Sequence, residues 1–169
     1  MPFMLQTARL ELRELTDDDL DFVAGMVSHP EVMRHYPKLY SREEARGWID
    51  RARKRYLIDG VGLWLALDRI ARHPVGMIGL LRQDVETWPE LEIGYLLHRP
   101  FWGQGFATEA ATALRDYAFA HTRAPWLISL IRPDNLPSQS VARRVGMTLR
   151  RTAEFRDLPH LVFQIDRAT

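Results

Sequence analysis

One stretch constrains the fold of this chain more than any other. An apolar strand, a tight turn with two glycines and an alanine-rich helix follow one another between Leu91 and Ala120. Gly103 and Gly105 let the backbone turn sharply and approach a ligand closely. The first N–H groups of the helix have no partner within it and carry the positive end of its dipole. Such a turn is typical of a phosphate-binding site.

Two common nucleotide-binding signatures do not fit these residues. A dinucleotide fingerprint requires a third glycine where the chain has Thr108, and an acidic residue about 20 residues later, where residues 126–129 offer none. A P-loop requires Lys-Ser or Lys-Thr after the last glycine, but Phe106 and Ala107 follow Gly105. What remains is a diphosphate held by backbone amides without magnesium, and coenzyme A carries such a diphosphate.

A second segment, Asn135 to Met147, follows a strand-like run. Together with the glycine turn it resembles the GNAT acetyltransferase superfamily, and within it the RimJ/RimL-like branch of ribosomal-protein-alanine N-acetyltransferases. The stretch from Phe101 to Ala110 matches that branch's pattern of an aromatic followed by Trp-Gly-x-Gly-aromatic-Ala-Thr-Glu-Ala. The second segment matches Asn-x-x-Ser, an apolar helix and Gly-Met. Residues 10–15 and 29–33 also look like that branch, so the resemblance covers nearly the whole chain.

The composition fits one domain over residues 1–169. This length suits a single core, and 46% hydrophobic with 27% charged residues is ordinary for a globular protein. The formal net charge of +1 gives no general attraction to nucleic acid or anionic lipid. The chain has no cysteine, no apolar run near the roughly 20 residues of a membrane span and no signal-peptide layout in residues 1–9, so we expect a cytoplasmic protein.

Periodicity and capping signals place the elements. Ser41-Arg42-Glu43-Glu44 is a capping box for a helix, and Thr16 opens an earlier one. Strands are expected at residues 9–14, 62–68, 74–81, 91–97, 126–131, 147–155 and 160–165, and further helices at 108–120 and 135–145. The resemblance implies an α/β (α+β) GNAT fold: a mixed, mostly antiparallel central sheet of six to seven strands, flanked by helices, whose central strands splay apart.

The resemblance also implies how acetyl-CoA is held. Its pantetheine arm is expected in the gap between the splayed strands, beside residues 95–98 and Asn135, and its diphosphate on the amides of residues 102–108. Arg144 or its neighbour Arg143 is expected to meet the 3′-phosphate, a role that suits a guanidinium. The cofactor-binding residues expected are Leu96, Leu97, His98, Trp102, Gly103, Gln104, Gly105, Phe106, Ala107, Thr108, Asn135, Ser138 and Arg144. The competing interpretation of the turn is a mere strand-to-helix connection.

Acetyl transfer to an amine requires a proton acceptor, because a protonated amine does not attack. A lysine-type amine, with a pKa of about 10.4, is almost wholly protonated at pH 7, and an α-amino group near 8 mostly so. Glu90 and Glu92 lie on one face of the strand before the turn, and either could act directly or through a water. Glu92 is the preferred base because it resembles the glutamate of the branch. The competing interpretation is an exposed or arginine-paired carboxylate.

The departing thiolate of CoA needs a proton, and here the chain departs from many relatives. Numerous GNAT enzymes carry a tyrosine seven residues after the motif asparagine, where this chain has Ala142. Ser138 is the nearest candidate for this acid, although capping the following helix is another use of a serine there. A backbone N–H near Leu97 or His98 is expected to stabilise the oxyanion.

The sequence therefore predicts an N-acetyltransferase that uses acetyl-CoA, with a protein N-terminus or a small molecule as the amine acceptor. The acceptor pocket is expected from residues 36–41 and 83–89, with Tyr36 and Trp88 on bordering loops. Alternatives are an antibiotic or polyamine acetyltransferase, and a catalytically silent acyl-CoA-binding module. The histidines have no ligand spacing, so no metal is expected. The basic segment 51–55 is read as a solvated helix face, and pairing of an edge strand at the C-terminus suggests a homodimer.

Overall fold

The computed structural model describes residues 2–168, whose strands form one sheet in the order β1-β2-β3-β4-β5-β6-β8-β7. All neighbouring strands are antiparallel except β5 and β6. The strands are β1 (Met4–Gln6), β2 (Leu10–Arg13), β3 (Leu63–Asp68), β4 (Pro74–Val85), β5 (Trp88–Leu97), β6 (Trp126–Ile131), β7 (Thr148–Phe155) and β8 (Leu158–Asp166). The helices are α1 (Leu20–Val27), α2 (Arg42–Asp59), α3 (Phe106–His121) and α4 (Leu136–Val145).

Local signals in the sequence account for the helix ends. The side chain of Ser41 accepts a hydrogen bond from the N–H of Glu44, and the carboxylate of Glu44 accepts one from the N–H of Ser41, so the predicted capping box begins α2. Thr16 begins a short 3-10 turn that leads into α1. Gly60 and Gly146 end α2 and α4 in the left-handed conformation that glycine adopts without strain.

The two faces of the sheet carry different helices. On one face, α1 and α2 bury Val23 and Ile49 against Leu65 and Met77 of the sheet. On the other face, α3 packs against β4 and β5, and α4 packs against α3 and β6, through a core that includes Leu114. Helices therefore cover both faces of the sheet, and the junction of its central strands lies between the two apolar layers.

The sheet opens at that centre. The parallel ladder between β5 and β6 pairs Glu92 with Ile128 and no further residues in the described chain. Beyond this pair the strands diverge, while β4 continues to pair β5 as far as Leu97. The predicted splay of the central strands is therefore present, and the fold class is confirmed.

Three details differ from the sequence predictions. The sheet has eight strands rather than six to seven, because Met4–Gln6 pairs with Leu10–Arg13 as an edge strand. Residues 83–89 are not a loop, because β4 and β5 continue to a tight turn. The C-terminal strand β8 lies between β6 and β7, so the edge suggested for homodimer pairing belongs to β7 instead. No helix in residues 2–168 is long and apolar enough to cross a membrane.

Candidate active site

The glycine turn leaves a row of backbone amides without partners. Gly103 and Gly105 have φ values of 72° and 81°, and Gly105 is the N-cap of α3 with no side chain capping the helix. Among the described residues, none of the N–H groups from 103 to 108 donates a hydrogen bond to a backbone carbonyl. Free amides at the positive end of a helix dipole suit an anion such as a diphosphate.

Two side chains of the turn donate hydrogen bonds to the preceding backbone, one at the end of β5 and one just after it. The indole of Trp102 donates from Nε1 to the carbonyl of Leu97 at 2.9 Å. Gln104 donates from Nε2 to the carbonyl of Pro100 at 2.9 Å. Both residues were predicted to bind the cofactor through their amides, and their side chains hold the turn in a fixed shape.

Arg9 is a second support of the turn, and sequence reasoning missed it. Its guanidinium donates from Nη1 to the carbonyl of Gln104 at 2.9 Å and from Nε to Glu109 at 2.6 Å. Glu109 also accepts from the N–H of Arg9 and from the hydroxyl of Thr7. Burial raises the pKa of Glu109, but these hydrogen bonds outweigh it and hold the pKa below its ordinary value. A positive charge thus stands beside the free amides.

The end of β5 presents alternate residues to the gap. Ile93 accepts a hydrogen bond at its carbonyl from Ser129 of β6, whereas the N–H of His98 donates to Val75 on the β4 side. Since successive backbone groups of a strand point to opposite neighbours, Tyr95 and Leu97 face the gap, and Leu96 and His98 bond β4. The N–H of Leu97 is therefore available as the oxyanion donor, and the prediction of His98 for that role is wrong.

Glu92 is buried at the point where the ladder ends. Its side chain is 8% exposed, accepts a hydrogen bond from Gln83 Nε2 at 2.8 Å and lies 3.4 Å from the N–H of Leu130. No arginine or lysine pairs with it among the described ion pairs. Burial raises the pKa of Glu92, and the hydrogen bonds from Gln83 and Leu130 offset this only in part. The competing interpretation as an exposed or arginine-paired carboxylate is wrong.

Glu90, the other candidate base, is engaged elsewhere. It accepts a hydrogen bond from the indole of Trp126 at 2.7 Å and lies 3.7 Å from the guanidinium of Arg151. Glu90 is thus held by an indole and a guanidinium, whereas Glu92 has only neutral hydrogen-bond donors as partners. The geometry therefore favours Glu92 over Glu90.

The first turn of α4 carries the predicted Asn135 and Ser138. Asn135 is the N-cap of α4, and its Oδ1 accepts from the N–H of Ser138 at 3.2 Å, which leaves its amide NH2 free. The alternative use of Ser138 as the helix cap is therefore wrong. The hydroxyl of Tyr95, which sequence analysis did not single out, donates to the carbonyl of Ser138 at 2.7 Å and so joins β5 to α4.

The remaining predicted residues lie around this gap. Arg144 is exposed and forms no ion pair within the described chain, whereas Arg143 stacks on Phe163 with its Cζ 5.3 Å from the ring centroid. Arg144 is thus the freer of the two for a phosphate. No cluster of metal ligands occurs in residues 2–168.

Two cavities lie near Glu92: its hydrogen-bond partner Gln83 lines one of them, and Tyr36, whose pKa is raised by burial and by the charge of Glu92, lines the other. A groove of about 970 Å³ runs between α2 and the β4–β5 hairpin, and Gln83, Trp88 and Glu90 line it. Trp88 lies in β5 rather than on a loop, but it borders this groove as an exposed side chain. A smaller cavity of about 170 Å³ lies on the other side and includes Tyr36 and Arg132.

The chain matches the model of a protein family described as the acetyltransferase (GNAT) domain over residues 9–148. It is 33% identical over 161 residues to the uncharacterized protein YkkB of Bacillus subtilis (strain 168), covering 95% of this chain and 94% of that protein.

Solved structures of acetyltransferases have the same fold. An acetyltransferase from Agrobacterium tumefaciens str. C58 superposes with a TM-score of 0.86 at 30% identity, covering 98% of this chain and 95% of the other. RimL, the ribosomal L7/L12 alpha-N-protein acetyltransferase, in complex with coenzyme A superposes with a TM-score of 0.80 over 97% of this chain and 98% of its own. Its identity of 19% makes it a likeness of fold alone.

Proposed function

Because the chain belongs to the GNAT acetyltransferase family, we propose that it is an N-acetyltransferase that moves the acetyl group of acetyl-CoA to a primary amine by direct attack in a ternary complex. The buried carboxylate of Glu92, placed where β5 and β6 part, carries this proposal. Burial of a carboxylate without a cationic partner is costly, and titratable groups perturbed in this way cluster at functional sites.

The residues present fit acetyl-CoA. The free amides of residues 103–108 suit its diphosphate, and Arg9 supplies a positive charge there. The backbone of Tyr95 and Leu97 and the amide of Asn135 suit the amide-bearing pantetheine arm, and Arg144 suits the 3′-phosphate. The fold that the chain shares with the CoA complex of RimL supports this choice of cosubstrate.

Acetyl-CoA supplies an activated thioester carbonyl. Glu92 takes a proton from the ammonium of the acceptor, directly or through a water, and the freed lone pair forms the C–N bond as the C–S bond breaks. The N–H of Leu97 stabilises the negative charge that develops on the carbonyl oxygen. The second proton lost by the nitrogen returns to the thiolate of CoA, so charge and atoms balance.

The position at which many relatives carry a tyrosine holds Ala142, which is fully buried and cannot act as an acid. Ser138 in the first turn of α4 is our candidate to deliver the proton or to orient a water that does so. A thiol with a pKa near 8.5 is a moderate leaving group, so a weak acid suffices. The same absence is the observation behind a second candidate function, a silent acyl-CoA-binding module.

A thiol-release assay tests the proposal. The protein is incubated with acetyl-CoA and a panel of amines and peptides, and calorimetry measures CoA binding in parallel. Turnover of any acceptor eliminates the silent module, and binding without turnover supports it. Failure of CoA to bind overturns both. We infer that the reaction takes place in the cytoplasm, where acetyl-CoA and free amines are available together.

A further inference from the structure

The smaller cavity beside Glu92 has a distinct chemical character. Residues 34–37, which connect α1 to α2, form one wall, and Arg132, Asp134 and Leu158 form the other. We call it the Arg132 cavity. Its volume of about 170 Å³ suits a small polar group rather than a whole cosubstrate.

This cavity opens on the face of the sheet that carries Glu92. Glu92 pairs with Ile128 of β6, so both side chains point to the same face. Leu130 follows Ile128 by two residues and therefore lies on that face as well, and Arg132 comes directly after the end of β6. The N–H of Leu130 lies 3.4 Å from Glu92 Oε1. Tyr36 lines the cavity, and its pKa is raised by burial and by the charge of Glu92, so Glu92 lies near this cavity.

Arg132 carries a buried polar atom without a partner. Its Nη1 is inaccessible and has no hydrogen bond among the described residues. The nearest acid of the cavity, Asp134, lies 3.3 Å from Nδ1 of His35 and is largely exposed. A guanidinium N–H that is buried and unpaired is unfavourable, and an acceptor oxygen from a ligand removes that cost.

Further positive charges surround the same place. Arg34 is an exposed member of the cavity wall, and Arg156 stands at the tip of the β7–β8 hairpin. Burial lowers the pKa of His160, and the charges of Arg132 and Arg156 lower it further. Burial raises the pKa of Glu92, which the charge of Arg156 opposes. Among the residues that line the cavity, Arg34 and Arg132 are basic and Asp134 is the one acid, so its lining has an excess of positive charge.

We infer that the acceptor is an amine that also carries a carboxylate: the Arg132 cavity binds the carboxylate while the amine meets Glu92. This inference rests on the proposed function and narrows its substrate class. A polycation, such as a polyamine, meets two arginines and a single carboxylate in this cavity and is disfavoured by repulsion. A free amino acid and a peptide whose N-terminus precedes an acidic side chain offer the same chemistry.

Matched acceptor pairs test the inference and separate these two sources. Alanine is compared with alaninamide, and a peptide that begins Ser-Asp with one that begins Ser-Asn, with spermidine as the polycation. We expect the carboxylate member of one pair to exceed its amide in kcat/KM by roughly 10- to 100-fold, the effect of one charge-assisted hydrogen bond. The pair that shows the preference identifies the source.

Arg132→Met is the informative variant, with Arg46→Met as its control because Arg46 lies on α2 and faces Asp17. Arg132→Met is expected to abolish the preference through KM, with CoA affinity unchanged, while Arg46→Met keeps it. Arg132→Lys retains the charge and is expected to restore part of the preference, which a purely structural role for Arg132 does not predict.

The outcomes distinguish this inference from the proposed function. If CoA does not bind, the proposed function fails. If CoA binds and amines are acetylated, but in neither pair does the carboxylate member exceed its amide, or spermidine reacts as well as the preferred carboxylate acceptor, this inference alone is wrong. If no acceptor reacts, calorimetry of the same pairs with the CoA-bound protein decides, and equal or absent binding of the carboxylate members overturns it.

Discussion

Gln83 and Glu92 form a buried hydrogen bond of 2.8 Å between an amide and a carboxylate, from adjacent strands of the sheet. A neutral amide offsets the burial of a carboxylate less than a guanidinium does. Burial consequently raises the pKa of Glu92, although Gln83 opposes the shift. A carboxylate of this kind is a stronger base than an ordinary glutamate and is still ionised once the pH exceeds its raised pKa.

The first prediction concerns pH and rate. We expect kcat/KM to fall on the acid side as Glu92 takes up a proton, at a pH above the ordinary range of a glutamate. Glu92→Gln is expected to lower kcat by roughly 10²- to 10⁴-fold and to remove this acid limb. Rate profiles over pH measure both effects. Glu90→Gln is the control, because Trp126 and Arg151 already engage Glu90; loss of the acid limb in that variant instead contradicts our choice of base.

The second prediction concerns stability: Glu92→Gln, which lowers the rate, is expected to stabilise the fold. The pKa of Glu92 is higher in the folded than in the unfolded protein. Its contribution to the stability of the fold is therefore fully present below the pKa of the unfolded state and is lost as the pH rises through the pKa of the folded state. Glu92→Gln is uncharged and can still accept from Gln83. We expect it to gain stability relative to the parent as pH rises through that window and then to keep a constant advantage. Urea denaturation at several pH values measures this; an advantage that shrinks with rising pH contradicts the burial argument.

Local determinants are the part of this fold that the sequence predicts well. The capping box at Ser41 and Glu44 needs only four residues, and α2 begins there. The glycine turn is equally local, and α3 begins at Phe106, two residues before the predicted start. The place of Glu92 before the turn predicts that it is the base, and the structure shows that this residue is buried.

The sequence predicts the strands of the β4–β5 and β7–β8 hairpins, but not the two tight turns that join them, because these turns lack the usual residues. Glu86 and Thr87 have φ values of 50° and 76°, and Arg156 and Asp157 have 51° and 59°. Turns with two successive residues in the left-handed conformation usually contain glycine or asparagine, which makes them recognisable in a sequence. Glu86 instead bonds Arg151 through its carboxylate, a contact from a distant strand that no local pattern reveals.

Residues that depend on long-range contacts could not be found either. Arg9 reaches Glu109 across 100 positions of the chain. Gln83 meets Glu92 only because the turn between β4 and β5 fixes their register. Arg132 follows a strand and resembles any surface arginine until the connection from α1 to α2 folds over it. Each becomes visible only when the packing is known.

The third prediction tests the glycine turn. Gly105→Asp places a negative charge and a side chain at a left-handed residue beside the free amides, and we expect it to abolish CoA binding in calorimetry. Gly60→Asp is the matched control, because Gly60 has a similar φ of 70° at the end of α2, away from the turn. Both variants carry the same backbone strain of roughly 1–2 kcal/mol. Equal CoA affinities in the two variants contradict the diphosphate site.

The last prediction concerns the brace between Arg9 and Glu109. The carboxylate of Glu109 accepts from Thr7 and twice from Arg9, and burial alone would raise the pKa that these bonds hold low. Because the pKa is depressed, the stabilisation is present above the unfolded pKa and disappears as pH falls through the folded one. We expect Glu109→Gln to lower the free energy of unfolding by roughly 1–2 kcal/mol at neutral pH, with a difference that vanishes in acid.

The same variant is expected to weaken CoA binding, because Arg9 loses the partner that holds it against the carbonyl of Gln104. Glu11→Gln is the control. Glu11 lies on the same N-terminal hairpin as Arg9, but it pairs with Arg72 in the connection between β3 and β4 and has no contact with the glycine turn. Denaturation and calorimetry on both variants therefore separate a general loss of the hairpin from a specific effect on the turn. If Glu11→Gln weakens CoA binding as much as Glu109→Gln, Arg9 does not act on the diphosphate site through Glu109.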